Sequence, residues 1–325
     1  MKIGIRADGG SSIGMGHIMR TLVIAKELRK TNDVFYICRD NMDKYQKGIE
    51  KVKSEGFKVL LVRDNHLLED LKKINANLLI TDSYDVDEEY FNITKAIFNK
   101  TAYIDDMNLY YFNVDFLINQ NINAEDFNYK VNKDTKLLLG SKYVMLRNEF
   151  KNMPPKHIKK IISDVLVTIG GGDPNHITEK ILSWVHNLDY AFHVVVGPAF
   201  NDIEYLKSFE NDKIKLYFNA NMSNLMKNCD IAISACGSTL YELAACGVPT
   251  LGIITADNQI GVANKLNIFG IINNLGWYNK ISKESFIKNI VNFAEDYDKR
   301  KLMAEKASKI IDAKGVERIT KEILC

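Results

Sequence analysis

Apolar positions along the chain follow two rhythms. Short apolar runs recur at residues 2–7, 34–38, 58–62, 77–81 and 101–105, long enough for a buried strand and too short for a helix. Between them lie residues 17–30, 43–55, 66–74 and 87–99, where apolar residues return at helical spacing. In the first of these, Met19, Leu22, Val23, Ala25 and Leu28 gather near one face. Strand followed by helix, repeated, predicts parallel strands joined by crossover helices. Residues 1–150 therefore read as a doubly wound α/β domain.

The rhythm breaks at 151–160, where Lys151-Asn152-Met153-Pro154-Pro155-Lys156 carries two of the five prolines. Adjacent prolines interrupt regular structure, so this stretch reads as a linker. Strand signals restart at 164–169, 191–196, 213–218, 230–234 and 249–254. Helical ones fall at 176–187, 222–228, 238–246, 258–268 and 283–296, with one long final helix at 298–324. A second α/β domain, 161–325, is expected. Ligands of doubly wound sheets sit beyond the carboxyl ends of the strands. Two such domains facing each other across a cleft would bring their loops to one ligand.

Composition narrows the function classes. With 325 residues there is room for two cores, and 46% hydrophobic with 26% charged residues is the profile of a soluble globular protein. A net charge of +2 argues against broad binding to nucleic acid or to an anionic membrane. The five cysteines are scattered with no C-x-x-C pair, and read as buried apolar groups in a reducing compartment. Lys2 and Arg6 interrupt the first apolar run, and no apolar run reaches 18 residues. A cytoplasmic monomer acting on a small molecule is the expectation.

Candidate chemistry begins after the first strand, at Asp8-Gly9-Gly10-Ser11-Ser12-Ile13-Gly14-Met15-Gly16-His17. A phosphate-binding P-loop would need lysine after its second glycine, where Met15 stands. The dinucleotide fingerprint would need a glycine where Met19 stands. Gly10-Ser11-Ser12-Ile13-Gly14 matches the G-x-S-x-G nucleophile turn, but that turn belongs after several strands, not after the first. His17 offers another reading. At a helix start the positive end of the dipole favours the neutral imidazole, which can take up a proton as a general base. Gly14 and Gly16 would let a ligand approach the backbone closely. The alternative is that His17 only caps the helix and the glycines only permit a turn.

A second loop reads Ser234-Ala235-Cys236-Gly237-Ser238-Thr239-Leu240-Tyr241-Glu242, followed by Gly247-x-Pro249 and by Asp257-Asn258-Gln259. Backbone amides at a helix start near Gly237, with the hydroxyls of Ser238 and Thr239, form a site for a diphosphate. Glu242, one turn on, could take both hydroxyls of a ribose. A capping box is the other explanation.

This second pattern resembles the nucleotide-binding half of GT-B-fold sugar-nucleotide enzymes, such as the peptidoglycan N-acetylglucosaminyltransferase that makes lipid II. The opening, Arg6-Ala7-Asp8-Gly9 followed by Ile13-Gly14-Met15-Gly16-His17-Ile18-Met19-Arg20, resembles the UDP-2,4-diacetamido-2,4,6-trideoxy-β-L-altropyranose hydrolases of pseudaminic acid synthesis. Thr81-Asp82-Ser83-Tyr84, Ile104-Asp105-Asp106, Asn119-Gln120-Asn121, Gly140-x-x-Tyr143-x-x-Leu146-Arg147-x-Glu149-Phe150 and Gly170-Gly171-Gly172-Asp173-Pro174 agree with it.

The resemblance implies hydrolysis of a UDP-sugar without metal or cofactor, with inversion at the anomeric carbon. It places the base for the attacking water on His17, and Gly14 and Gly16 beside diphosphate and sugar. Tyr84 shapes the sugar site, Gly237, Ser238 and Thr239 hold the diphosphate, and Glu242 holds the ribose. Asp8, Asp173, Asn258 and Gln259 stand near the sugar or behind it. The family often has Asp-His-Tyr where this chain has Ser83, which removes a second histidine. An inverting transferase, or a silent module that binds a sugar nucleotide, would share these motifs. Asp85-Val86-Asp87 spells a metal-binding D-x-D, but acidic residues at a helix start explain it better. Asp105-Asp106 reads either as facing the cleft or as a solvated turn.

Overall fold

The computed structural model describes residues 1–10, 13–201 and 203–325. The chain divides into two compact units, residues 1–147 with 314–325, and residues 148–313.

The first unit is built on β1 (Lys2–Ala7), β2 (Asp33–Arg39), β3 (Lys58–Val62), β4 (Leu78–Asp82), β5 (Lys100–Ile104), β6 (Tyr111–Phe112), β7 (Phe116–Asn119), β8 (Lys130–Val131) and β9 (Lys136–Leu139). Among the described residues, seven of these form an all-parallel sheet in the order β3-β2-β1-β4-β5-β7-β9, while β6 and β8 pair apart. Helices α1 (Gly16–Leu28), α2 (Met42–Ser54), α3 (Leu67–Leu71) and α4 (Glu88–Ile97) cover it. Strand alternation feeds both faces. Val34, Tyr36 and Cys38 join a core with Leu22 of α1 and Ile49 of α2, while Phe35 and Ile37 join Leu71 of α3 and Phe91 of α4. Strands β7 and β9 lie outside the predicted alternation because no helix connects them to their neighbours.

The second unit repeats the plan with β10 (Asp164–Thr168), β11 (Ala191–Val196), β12 (Ile214–Phe218), β13 (Ile231–Ala235), β14 (Thr250–Ile254) and β15 (Asn273–Trp277). They are parallel, in the order β12-β11-β10-β13-β14-β15. Its helices are α5 (Ile177–Val185), α6 (Ile203–Lys207), α7 (Met222–Asn228), α8 (Thr239–Ala245), α9 (Ile260–Ile268), α10 (Lys283–Glu295) and α11 (Tyr297–Ile310). Strand β15, polar and only partly buried, was not expected.

Two boundaries differ from the sequence reading. The expected helix 298–324 is two helices, because the chain turns at Ala313, whose φ is 56°, before α12 (Gly315–Leu324). Helix α12 belongs to the first unit, not to the second domain. Its stripe of Val316, Ile319 and Ile323 is buried in the core that holds Ile18, Leu22 and Ala25 of α1, worth about 2 kcal/mol per aliphatic side chain. A side chain at Gly315 would stand 2.2 Å from the carbonyl oxygen of Val144, so only glycine lets α12 dock there. The proline-bearing stretch is likewise part of the second unit, which begins at Asn148. Lys156 Nζ donates to the carbonyls of Met226, Lys227 and Cys229 at 2.9, 2.7 and 2.5 Å. Buried Arg300 donates to those of Lys159 and Lys160 at 2.8 and 2.9 Å.

Cys38, Cys229, Cys236 and Cys246 are buried, and burial pushes the last three thiols up to about 12, which keeps them unreactive. Among the described residues no helix is long and apolar enough to cross a membrane.

Candidate active site

Each sheet reverses its winding at one point, where β1 lies beside β4 and where β10 lies beside β13. The loops beyond such strands are where an α/β sheet opens to a ligand. In the first unit β4 ends on Asp82, which is wholly buried, and α1 starts at Gly16, so His17 stands in its first turn. His17 Nδ1 lies 2.6 Å from Asp82 Oδ1. Arg20, three residues on and on the same helix face, grips both oxygens of Asp82, Nε to Oδ2 at 2.5 Å and Nη2 to Oδ1 at 2.6 Å. Arg20 Nη1 donates to Asp106 Oδ2 at 3.0 Å, and the Tyr84 hydroxyl donates to the same oxygen at 2.9 Å. The Tyr84 ring then meets His17 edge-on, with centroids 4.6 Å apart. These five side chains form a closed circuit.

The circuit sets the imidazole's tautomer. Burial pushes the Asp82 carboxyl up, but the charges and hydrogen bonds of Arg20 and His17 outweigh it and hold it below the usual carboxylate value. An ionised carboxylate can only accept, so the proton in the 2.6 Å contact belongs to Nδ1. Arg20 Nη2 also approaches Nδ1, at 3.3 Å, but two donors facing each other make no bond. The neutral ring therefore presents Nε2 as an acceptor. Met15, at the cap position of α1, makes no side-chain cap, and the His17 side chain is spent on Asp82 instead of the helix backbone. A buried carboxylate behind an oriented imidazole can draw a proton from water or a hydroxyl.

The glycines of the opening stretch divide into two kinds. A side chain on Gly10 would overlap the Lys44 carbonyl oxygen at 1.7 Å. A side chain on Gly48 of α2 would stand 2.4 Å from the Gly9 carbonyl oxygen, which accepts from the Gly48 N–H at 3.0 Å. Gly9 and Gly10 therefore serve the packing of α2 against the loop. Beside Gly14 and Gly16 nothing among the described residues lies within 4 Å of where a side chain would be. Ser11 and Ser12, the centre of the possible nucleophile turn, lie outside the described residues.

Other predicted residues have other work. Asp8 accepts from Arg39 N at 2.9 Å and Arg39 Nε at 3.0 Å, with Arg6 at 3.5 Å, and so ties β1 to β2. Asp105 accepts from Met107 N, Asn108 N and Tyr129 Oη at 3.1, 2.9 and 2.8 Å and braces its turn. Of the pair Asp105-Asp106, only Asp106 reaches the His17 circuit. Asp87 caps α4 by accepting from Tyr90 N at 2.8 Å, and Asp85 pairs with Arg39, which accounts for the D-x-D stretch structurally. Ser83 Oγ accepts from Asp85 N at 3.1 Å and shapes the turn that carries Tyr84. Asp82 and Arg20 were not singled out as site residues in the sequence. The signals available were His17-x-x-Arg20 on one helix face and an aspartate closing the strand next to β1. A cavity of about 470 Å³ opens beside Tyr84, lined also by Arg39, His66, Glu69, Asp87 and Tyr90.

In the second unit the open glycines at strand ends of the switch point are Gly170 and Gly171 beyond β10, with nothing within 4 Å among the described residues, and Gly237 beyond β13, whose nearest neighbour is Gln259 Nε2 at 3.9 Å; Gly276 in β15 is open as well. Ser238 is exposed and makes no side-chain cap on α8, so the capping box is not formed through it. Thr239 is the first residue of α8, and Glu242 lies half-buried one turn on. Gln259 Oε1 accepts from Thr255 N at 2.9 Å and steadies the loop beyond β14, where Asn258 is exposed. Asp173 spends both oxygens on the start of α5, accepting from Ile177 N at 2.9 Å and Thr178 N at 2.6 Å. It is a helix cap.

No family profile matches the chain. It is 33% identical over 273 residues to an uncharacterized protein of Methanocaldococcus jannaschii, covering 77% of this chain and 55% of that protein, so it spans about half of that relative's length. It is 25% identical over 336 residues to the spore coat polysaccharide biosynthesis protein SpsG of Bacillus subtilis, covering 98% and 97%. It is 23% identical over 276 residues to the UDP-2,4-diacetamido-2,4,6-trideoxy-β-L-altropyranose hydrolase of Campylobacter jejuni, covering 82% and 96%. Among solved structures, MurG of Acinetobacter baumannii matches with a TM-score of 0.67 at 13% identity, over 99% of both chains. The spinosyn rhamnosyltransferase SpnG, complexed with thymidine diphosphate, matches with a TM-score of 0.70 at 11% identity, also over 99% of both. By sequence the chain is similar to proteins named UDP-2,4-diacetamido-2,4,6-trideoxy-β-L-altropyranose hydrolase, at 23–28% identity, and its fold is that of the GT-B glycosyltransferases.

Proposed function

We propose that this chain hydrolyses a UDP-linked 2,4-diacetamido-2,4,6-trideoxy sugar to the free sugar and UDP, in nonulosonate biosynthesis of the pseudaminic acid type. The observation that carries this reading is the buried Asp82–His17 pair at the switch point of the first sheet, with Nε2 left to accept. In the reaction His17 Nε2 takes a proton from water, and the water oxygen attacks the anomeric carbon on the face opposite the nucleotide. The bond from that carbon to the diphosphate oxygen breaks, and configuration inverts. The imidazolium that forms is held by ionised Asp82. Charge grows on the departing diphosphate, which the reading assigns to backbone N–H groups and hydroxyls at Gly237, Ser238 and Thr239, with Glu242 on the ribose.

The Campylobacter relative's name supports water as acceptor; the transferase fold favours a second reading, an inverting transfer to another acceptor. The test follows UDP release and anomer formation from the UDP-sugar, with and without chelator, for wild type and His17→Asn. Release in water alone, unaffected by chelator and lost in His17→Asn, is expected. A requirement for an acceptor would establish transfer, and UDP binding without turnover would establish a silent module.

A further inference from the structure

The cavity beside Tyr84 opens at the carboxyl ends of β2, β3 and β4, wholly within the first unit. His17, Arg20, Asp82 and Asp106 do not line it, and of the circuit only Tyr84 reaches its wall. Its volume of about 470 Å³ lies in the range of small-molecule sites. The fold leaves polar groups on this wall unspent. Asp85 gives Oδ2 to Arg39, Asp87 gives Oδ1 to the Tyr90 N–H, and Glu69 gives Oε2 to Arg63 and His66. The other oxygen of each has no donor among the described residues, and all three side chains are exposed.

Arg39 supplies the opposite chemistry. Its side chain is nine-tenths buried, with Nε on Asp8 and Nη1 on Asp64 and Asp85. Nη2 has no acceptor among the described residues. Unlike the guanidinium nitrogens of Arg6, it is not sealed from solvent, and Arg39 lines the cavity. A largely buried N–H that reaches open space calls for an acceptor brought by a ligand.

These groups select by charge. Asp64, Glu69, Asp85 and Asp87 against the one arginine repel a phosphate or any other anion. A primary ammonium carries three donors for the open carboxylate oxygens, and the rings of Tyr84 and Tyr110 on the same wall favour a cation. An ammonium alone would leave Arg39 Nη2 unmet, so the ligand also carries hydroxyl oxygens. A pyranose does, and its C–H face suits a tyrosine ring. We infer that this cavity binds a sugar with a free amino group, at a place apart from the reacting sugar. The carboxylates take the ammonium and Arg39 donates to a hydroxyl oxygen. The inference does not depend on the reaction at His17.

The test titrates the full chain near neutral pH, by calorimetry and ligand-observed NMR, with glucosamine, N-acetylglucosamine, glucose, glucose 6-phosphate and 1,4-diaminobutane. Glucosamine should bind roughly tenfold more tightly than N-acetylglucosamine, glucose or the diamine, and glucose 6-phosphate should not displace it. Asp87→Asn combined with Glu69→Gln removes two charges at constant shape, and asparagine still caps α4. This double variant should weaken glucosamine about tenfold to hundredfold with an unchanged melting temperature. Arg39→Lys should weaken glucosamine and leave the diamine unaffected. His17→Asn should bind glucosamine as wild type does, which keeps this result apart from the fate of the hydrolase reading. Equal affinity for amine and acetamide, tighter binding of the diamine or the phosphate, no binding of glucosamine, or undiminished binding in the double variant would overturn the inference. So would loss of glucosamine binding in His17→Asn, since the ligand would then lie at the base.

Discussion

At the carboxyl edge of the first sheet, His17, Arg20, Asp82 and Asp106 form a charged and largely buried circuit. At the matching edge of the second, the side chains beside the open glycines are the hydroxyls of Ser238 and Thr239 and the amide of Gln259. Both edges come from the same parallel-sheet plan and the same reversal of strand order. A shared architecture therefore fixes where a ligand site can form, and the charge placed at the ends of the strands decides what kind. Buried charge held by hydrogen bonds orients a base, whereas open backbone with neutral donors suits a group that arrives already charged.

The largest effect should come from the charged edge. His17→Asn should lower kcat by about 10²- to 10⁴-fold while leaving the affinity for UDP unchanged, as steady-state kinetics and calorimetry would read. A fall in UDP affinity of the same size would erase the division of labour between the units. Next, Gly10→Ala should destabilise the first unit by about 2 kcal/mol or more, since the clash is with backbone, which urea unfolding would report. The same substitution at Gly237, with 3.9 Å to spare, should change stability by less than about 0.5 kcal/mol. It should nevertheless raise KM for the sugar nucleotide about tenfold if a diphosphate lies against that backbone.

The smallest effect is a pH dependence confined to one edge. Asp82 is held below the usual carboxylate value by Arg20 and His17 against the cost of burial. Its ionised form therefore contributes stability above the ordinary carboxylate range, about pH 4, and that contribution fades as pH falls further. Urea midpoints measured between neutral pH and about pH 3 should fall more steeply for wild type than for Asp82→Asn. Parallel curves would show that the circuit adds no acid-sensitive stability.

Much of this was legible in the sequence, for stated reasons. Buried parallel strands read as apolar runs, so β1, β3 and β11 fall on the predicted residues. His17 stood out because a helix start favours a neutral imidazole and because the opening stretch resembles that of the UDP-sugar hydrolases, although its spacing alone left a capping role open. Its partner Asp82 was harder to find, because pairing across 65 residues depends on β4 lying beside β1 and not on any local pattern. Asp8 and Asp173 sat in motifs and turned out to brace backbone. A carboxylate's partners cannot be read from its neighbours in sequence. The break at Ala313 was missed because apolar residues keep a helical period through it.

Helix α12 has a consequence for how the protein is made. Residues 1–147 leave the ribosome long before Val316, Ile319 and Ile323, which complete the core under α1. During that interval the first unit carries an uncovered apolar stripe next to the helix that bears His17, while the second unit can already close. Order of synthesis and order of completion are thus reversed, and the unit that carries His17 is finished after the other. A chain arrested before α12 would hold a folded second unit and an unfinished, aggregation-prone first one.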